Sequence, residues 1–333
     1  MYQRFFGLER NPFAITPDPD FLYLTDKHRE ALAGLLYAIT CRKGFLVLTG
    51  DAGTGKTTLL RTILRRVSAE RIVFSFVVHP TLTAAEFLEY TMLDFGFPNI
   101  PASKAQRLVM FQQFLVRSYE EGKNPVLVID EAQKLSPELL EEIRLLTNAE
   151  TAEHKLLQIV LAGQNELNAV LARDDMRQLR QRIAIRVAIG ALSEAEVVQY
   201  LKTRWMRAGA KEKLPFTADA ARALAEYSRG IPRLINTICD TALTNAFANE
   251  TRTINRAQIE AAASDLLLNT ASGVDAENAS AVASPTPQLK MPEKKQPVAE
   301  GMPSLRTIER YEAEAQKRAK AGGWLTRLGL NRA

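Results

Sequence analysis

A glycine-rich run near the start of the chain has the residue types and the spacing needed to hold a phosphate chain. Residues 50–57 read GDAGTGKT, which is the pattern G-x-x-x-x-G-K-T, and they lie between an apolar run and a helical pattern. Glycines let backbone N–H groups line a concave loop, and the start of the following helix adds a dipole that favours anions. We expect Lys56 to reach the β- and γ-phosphates of ATP and the Thr57 hydroxyl to hold Mg²⁺. The predicted nucleotide-binding residues of this loop are Gly50, Asp51, Ala52, Gly53, Thr54, Gly55, Lys56, Thr57 and Thr58.

A pair of carboxylates completes the chemistry about 75 residues further along the chain. Residues 125–132 read PVLVIDEA, so Asp130 and Glu131 follow directly after an apolar strand pattern. In a nucleotide-hydrolysing site the first carboxylate serves the metal, and the second takes a proton from the attacking water. We therefore predict that Asp130 contacts Mg²⁺ through its water shell and that Glu131 is the general base. Together the two motifs predict an ATPase whose cofactors are ATP and Mg²⁺.

Five short apolar runs provide the strands that must position these motifs. They are separated by helical patterns, and such alternation favours a parallel α/β sheet. The runs are residues 45–49, 72–78, 126–129, 157–162 and 183–189. After residue 192 the strand signals stop and helical patterns continue to residue 268. The predicted fold is an α/β P-loop domain, with a parallel sheet sandwiched by helices, followed by a small all-α domain.

The chain is predicted to have four segments. These are a P-loop domain over residues 1–190, a helical domain over 191–268, a linker over 269–302 and a tail over 303–333. The linker is rich in Ala, Ser, Pro, Glu and Lys, and such a composition cannot offset the entropy of ordering by burial, so disorder is expected. The tail carries a charged helical pattern and then GWLTRLGL. This pattern predicts a short segment that anchors the chain to a partner or to an anionic membrane surface; the alternative is a frayed terminus.

Composition limits the classes of protein that fit. The chain has 46% hydrophobic residues, neither a signal-peptide pattern nor a membrane-spanning apolar stretch, and only two cysteines, Cys41 and Cys239. These features predict a cytoplasmic protein with both cysteines in the core. The net charge of +5 includes +3 from residues 269–333, so the remainder carries only +2. This low charge does not favour nucleic-acid binding.

These motifs and the opening residues, FFGLERNPFAITPDPDFLYLTDKHREALAGLLYAI, resemble the AAA+ ATPases and, within that class, the general secretion pathway A-type ATPases. The resemblance implies that the opening segment, called the leader below, lies against the adenine. Phe13, Ile15 and residues 17–22 are then candidates for the base pocket. The competing interpretation is a purely structural N-terminal arm.

The same resemblance implies roles for polar residues outside the two motifs. Gln164, after the fourth strand, corresponds to the sensor that helps to position the attacking water. Arg233, in the run GIPR at a helix start, corresponds to a second sensor aimed at the γ-phosphate of its own subunit. His79, after the second strand, stands where relatives tend to carry Asn, so it is a candidate partner of Glu131 or simply a strand-end residue.

An arginine-rich run, MRQLRQR, precedes the fifth strand, where the class places its arginine finger. Arg182 matches this position best and Arg180 is the alternative. A finger completes the γ-phosphate site of a neighbouring subunit, which implies a homo-oligomer. The other arginines nearby are expected to serve as interface or surface charge; they are Arg173, Arg177 and Arg186.

The resemblance implies an ATPase whose nucleotide-dependent oligomerisation assembles or regulates an envelope secretion or export system, for exopolysaccharide or protein sorting. The partner of such an ATPase would be an envelope or secretion-system protein. The ATPase itself would be cytoplasmic or peripheral to the inner membrane. The rival hypothesis is a DNA-binding regulator of the transposition or replication-initiator type, because such ATPases share these motifs. Arg61, Arg65 and Arg66, on the helix after the P-loop, would then form a basic stripe.

Overall fold

The computed structural model describes residues 2–66, 71–78 and 81–268. Three of the interpretations above lie outside the described residues. They are the pairing of His79 with Glu131, the linker over residues 269–302 and the tail over residues 303–333. The side chain of Arg66 is likewise not described.

The centre of the fold is a five-stranded sheet in which every neighbouring pair of strands is parallel. The strands lie in the order β2-β3-β4-β1-β5. Their bounds are β1 Phe45–Thr49, β2 Ile72–Val77, β3 Asn124–Ile129, β4 Gln158–Gly163 and β5 Ile183–Ala188. Each predicted strand is present, with ends shifted by no more than two residues. The predicted α/β sheet is therefore confirmed.

Helices cover both faces of this sheet, which is why all residues of β1, β3 and β4 are buried. The helices are α2 Asp26–Thr40, α3 Lys56–Arg66, α4 Ala84–Asp94, α5 Lys104–Glu120, α6 Pro137–Leu146, α7 Glu166–Ala172 and α8 Arg177–Arg180. One face of the sheet packs against α2 and α3, and the other face packs mainly against α4, α5 and α6. Because the strands are parallel, side chains that follow them collect at one edge of the sheet, where the carboxyl ends of the strands meet.

A second apolar core belongs to four helices that follow the sheet: α9 Glu194–Arg207, α10 Ala218–Ser228, α11 Pro232–Ala248 and α12 Arg256–Asp265. The first of them begins with a capping box, in which Ser193 and Glu196 satisfy each other's backbone N–H groups. The carbonyl of Gly230, between α10 and α11, accepts from the N–H of Leu192 at 2.8 Å, which ties the start of this region to its middle. The predicted all-α region is present.

Residues 2–24, the part of the leader that precedes α2, pack mainly against the helical region, while Leu22 and Leu24 also pack against the core formed by α2, α3 and the sheet. This part begins with α1 Tyr2–Phe5, and its aromatic side chains Phe6, Phe13 and Phe21 are buried in the core of the helical region. The Tyr2 hydroxyl donates to Asp240 on α11. Tyr200, Trp205 and Phe216 of the helical region lie in the same core, so aromatic side chains of both segments fill it together.

Two further sequence expectations can be compared with the described residues. Cys239 is buried as expected, but Cys41 is exposed at the C-terminal end of α2, so the prediction of two core cysteines was wrong for Cys41. None of the helices within residues 2–66, 71–78 and 81–268 has the length and apolar character needed to cross a membrane.

Candidate active site

The phosphate-loop motif occupies the connection between β1 and α3, as the sequence predicts. Lys56 begins α3, and its Nζ donates to the carbonyls of Gly50 at 2.7 Å and Asp51 at 3.0 Å. Burial lowers the pKa of Lys56, while the nearby carboxylates of Asp130 and Glu131 act in the opposite direction. Lys56 therefore places a buried ammonium group, hydrogen-bonded to loop carbonyls, where it could bind a phosphate chain.

Thr57 and Asp130, which the sequence predicts to serve the metal, are brought into direct contact. The Thr57 hydroxyl donates to Asp130 Oδ2 at 2.7 Å, although 73 residues separate them along the chain. The contact forms because β1 and β3 are parallel, so that both motifs follow the carboxyl end of a strand at the same edge of the sheet. Hydroxyl and carboxylate oxygens are hard donors of the kind that Mg²⁺ prefers. The donor set therefore fits the expected ion.

Glu131 lies beside this pair in an unusual backbone conformation. Its φ of 54° is in the left-handed region, which costs a non-glycine residue roughly 1–3 kcal/mol. The strained residue is stabilised by its own N–H, which donates to Asp130 Oδ1 at 2.9 Å. The Glu131 side chain lines the cavity above the phosphate loop.

Two glutamine amides hold the Glu131 carboxylate. Gln133 Nε2 donates to Glu131 Oε2 at 2.9 Å, and Gln164 Nε2 approaches the same oxygen at 3.5 Å. Gln164 follows β4, so the predicted sensor does lie at the same edge of the sheet as the two motifs. Sequence reasoning missed Gln133. Its signal was its position, three residues after Asp130 in the run DEAQ.

Arg233 enters the site from the helical region. Its backbone N–H donates to the carbonyl of Gly53 at 3.2 Å, and its side chain lines the cavity. Gly53 has a φ of 80°, and a Cβ added there would lie only 2.7 Å from the Arg233 Cβ. The N-terminal end of α11 therefore packs directly on the phosphate loop, which couples the helical region to the nucleotide-binding motif.

The cavity between the phosphate loop, the leader and the helical region has a volume of about 460 Å³. Its lining includes most of the leader residues that the resemblance assigns to the base pocket: Ile15, Pro17, Asp18, Phe21 and Leu22. Phe13 is different, because it is fully buried with its ring packed edge-on against Phe216 at 6.0 Å. Its assignment to the base pocket is therefore corrected to a role in the core.

A buried arginine that sequence reasoning missed supports the leader at this cavity. Arg204 on α9 donates to the carbonyls of Pro12 at 2.5 Å and Ala14 at 3.4 Å, and its guanidinium lies 4.9 Å from the centre of the Phe21 ring. It also donates to the Tyr200 hydroxyl at 3.1 Å. The signal for Arg204 was a basic residue on the apolar face of α9. These contacts fix the leader against the helical region.

His28, for which the sequence indicated no partner, is buried at the other side of the phosphate loop. Its Nδ1 lies 2.7 Å from the Thr25 hydroxyl, and its Nε2 lies 3.4 Å from the carbonyl of Thr54. Burial lowers the pKa of His28, so the neutral form is favoured. The imidazole thereby links the start of α2 to the loop.

The finger candidates lie away from this cavity. Arg182, which is half-buried, donates to the Thr147 hydroxyl at 2.8 Å, after α6, and does not line the cavity described above. Arg180 donates to the carbonyls of Leu171 at 3.2 Å and Ala172 at 2.9 Å. Arg180 therefore serves the C-terminal end of α7, whereas Arg182 stands just before the edge strand β5.

Comparisons with known proteins agree with this arrangement. Residues 40–171 match the family model described as AAA domain. The chain is 42% identical over 264 residues to general secretion pathway protein A of Aeromonas hydrophila, covering 79% of this chain and 48% of that protein. It is 25% identical to the ATP-dependent target DNA activator B of Escherichia phage Mu, covering 59% of this chain and 60% of that protein. The chain thus spans about half the length of the first relative and less than two thirds of the second.

Solved structures show the same fold. The ORC2 protein of Aeropyrum pernix, in ADPNP and ADP complexes, superposes with a TM-score of 0.61 at 18% identity, covering 82% of this chain and 75% of that one. The Cdc6p protein of Pyrobaculum aerophilum superposes with a TM-score of 0.54 at 19% identity, covering 73% and 67%. At this level of identity the likeness concerns the fold alone.

Proposed function

This chain is an AAA+ P-loop protein related to general secretion pathway protein A, and we propose that it binds ATP with Mg²⁺ at residues 50–57 and hydrolyses it. The observation that carries the proposal is the 2.7 Å contact between Thr57 and Asp130, beside Lys56 and Glu131 at one edge of the sheet. These four residues supply a phosphate-binding cation, oxygen donors for the metal and a base.

Each residue has a chemical task in this proposal. Thr57 and Asp130 would hold Mg²⁺, which supplies positive charge to the phosphates when bound. Lys56 leaves the loop carbonyls and binds the phosphate oxygens instead. Glu131 takes a proton from the attacking water, and Gln164 orients that water from the end of β4. Arg233 adds positive charge to the γ-phosphate from the helical region.

The binding step is tested by titrating ATP in the presence and absence of Mg²⁺. Lys56→Ala should weaken ATP binding roughly 10- to 100-fold, because a hydrogen bond to a charged group contributes about 1.5–3 kcal/mol. Lys43→Ala is the matched control, because Lys43 is exposed and lies beyond the other end of β1. This variant should bind ATP with the affinity of the parent. Equal affinity in Lys56→Ala and the parent would contradict the assignment of the loop.

We also propose that hydrolysis belongs to a homo-oligomer, with Arg182 as a finger for the neighbouring subunit. The support is that Arg182 stands outside the cavity of its own chain and next to an edge strand. Arg182→Ala and Lys56→Ala should each be inactive alone. Mixed together they should regain part of the activity, because some interfaces then pair an intact loop with an intact finger. A mixture that co-assembles but stays inactive would refute action in trans.

We further propose that the ATP-bound oligomer assembles or regulates an envelope secretion or export system, and that it works in the cytoplasm or at the inner membrane. The 42% identity to general secretion pathway protein A supports this proposal. Tagged Glu131→Gln, held in its ATP state, should retain envelope-system proteins that Lys56→Ala does not. Deletion of residues 303–333 should weaken this recruitment and leave ATP binding intact. Identical sets of bound proteins for both variants would contradict an ATP-dependent partner.

ATP-dependent DNA binding is the second candidate function, and the similarity to the DNA activator of phage Mu favours it. Two arginines of the predicted basic stripe are engaged elsewhere, however. Arg61 donates to the carbonyl of Pro17 at 3.3 Å, and Arg65 pairs with Asp20 at 3.1 Å. A DNA mobility shift that requires ATP and weakens steeply with salt would support this candidate. No shift at low salt would exclude it.

A further inference from the structure

Gln133 contacts both halves of the proposed hydrolytic centre. Its side-chain oxygen accepts from the backbone N–H of Gln164 at 3.0 Å, and its side-chain nitrogen donates to Glu131 Oε2 at 2.9 Å. One amide therefore bridges the end of β4 and the carboxylate that follows β3. The bridge is short enough to fix both partners.

The chemistry of the partners fixes the orientation of this amide. A backbone N–H can only donate, so the atom that faces Gln164 must be Oε1. An ionised carboxylate can only accept, so the atom that faces Glu131 must be Nε2. Both constraints agree, and a flipped amide would lose both hydrogen bonds.

The local backbone is shaped to make room for the amide. Gly163, the last residue of β4, lies so close that a Cβ there would stand 2.8 Å from Gln133 Oε1 and 3.3 Å from the Gln133 backbone nitrogen. Gln133 itself lies in the short helical turn Ala132–Lys134 that begins directly after Glu131. A side chain at position 163 would push this turn away from β4.

The Glu131 carboxylate depends on this support. Its backbone is in the left-handed region, and its other contacts to Oε2 are longer, at 3.5 Å from Gln164 Nε2 and 3.7 Å from the exposed Lys134 Nζ. With Oε2 held by Gln133, Glu131 keeps its side chain on the cavity wall. A carboxylate free to rotate would seldom point at a bound water, and misplacement of a base lowers the rate of proton transfer.

We propose that Gln133 is a positioning residue for ATP hydrolysis, which holds Glu131 in the orientation needed to accept a proton from the attacking water and ties it to the sensor Gln164. This proposal rests on the proposed ATPase function. Gln133 is not expected to contact ATP, because it is not among the described residues that line the cavity. Its loss should therefore lower kcat and leave KM nearly unchanged.

Two variants separate the two hydrogen bonds. Gln133→Ala removes both. Gln133→Glu keeps an oxygen for the N–H of Gln164 but presents an oxygen, and a like charge, to Glu131. We expect kcat to fall tenfold or more in both variants, with KM within about twofold of the parent. The melting temperature of Gln133→Glu should stay close to that of the parent. Gln113→Ala, at an exposed position on α5, is the control and should keep the parental kcat.

The decisive comparison is made in a protein that lacks the base. In Glu131→Gln, the further change Gln133→Ala should alter the residual rate by less than about twofold, because Gln133 acts through Glu131. The same loss in both backgrounds, a change confined to KM, or parental kcat in Gln133→Glu would overturn the proposal. These results differ from failure of the ATPase proposal, in which the parent itself would not hydrolyse ATP and Gln133 would have no reaction to support.

Discussion

Gly53→Ala tests the coupling between the phosphate loop and the helical region. The added Cβ would stand 2.7 Å from the Arg233 Cβ and 3.1 Å from Ile231 Cγ2, whereas carbon atoms normally pack at about 3.5–4.0 Å. The Arg233 Cβ is attached directly to the backbone of α11, so no side-chain rotation can relieve the contact. The N-terminal end of α11 must move away from the loop, and the hydrogen bond from Arg233 to Gly53 must lengthen.

The cost of this substitution has two parts. Placing alanine at a φ of 80° costs about 1–2 kcal/mol, and overpacking adds about 1–3 kcal/mol. Gly55→Ala is the matched control, because Gly55 also has a positive φ, of 102°, but has no atom within 4 Å of its added Cβ. The free energy of unfolding should therefore fall by about 1–3 kcal/mol more in Gly53→Ala than in Gly55→Ala.

Denaturant unfolding of the nucleotide-free proteins measures this difference without any contribution from contacts to ATP. Arg233→Gly removes the clashing Cβ, so Gly53→Ala should cost less in that background than in the parent. Gly122→Ala, at a φ of 70° far from the site and with open space around its Cβ, reports the backbone cost alone. Equal losses in Gly53→Ala and Gly55→Ala, or no relief by Arg233→Gly, would refute the proposed contact.

Three other predictions concern residues around the site. Burial lowers the pKa of His28 in the folded protein, so the unfolded chain binds a proton at this residue more readily. The free energy of unfolding of the parent should therefore decrease as the pH falls below about 6.5. His28→Gln should lose less of this free energy between pH 7.5 and pH 5.5, as measured by denaturant unfolding at about these two pH values. Arg204→Lys should lower the free energy of unfolding by about 1–3 kcal/mol and speed proteolysis of the leader, whereas Arg222→Lys, at an exposed position on α10, should have a smaller effect. Arg180→Ala should lower the melting temperature because two carbonyls at the end of α7 lose their donor, whereas Arg182→Ala should keep the melting temperature and lose turnover. Parental pH dependence in His28→Gln, unchanged proteolysis in Arg204→Lys, or the reverse pattern for the two finger candidates would contradict these assignments.

The parts of the fold that the sequence predicted are those set by local patterns. The five strands and the contact between Thr57 and Asp130 follow from apolar runs and from the parallel order of strands, since each motif directly follows a strand. The pattern does not show which domain an aromatic arm joins. Phe13 looked suitable for a base pocket, but its burial against Phe216 depends on a helical core that forms about 200 residues later.

Gln133 and Arg204 were missed for a related physical reason. Each of them acts through a contact with a residue that is distant in the chain. The residue type alone does not indicate that this contact forms. A glutamine after two carboxylates is an ordinary turn residue until β4 places the N–H of Gln164 opposite it. Likewise, Arg204 is an ordinary helix residue until the leader brings the carbonyl of Pro12 to its guanidinium.

Hydrolysis of ATP at this site with Glu131 as the general base is tested by comparing the parent with Glu131→Gln. ATP binding and single-turnover hydrolysis are followed in the same samples of both proteins, with Mg²⁺ and saturating ATP. Glu131→Gln should bind ATP with parental affinity and hydrolyse it at least about a hundredfold more slowly. Hydrolysis by Glu131→Gln at the parental rate would show that Glu131 is not the base.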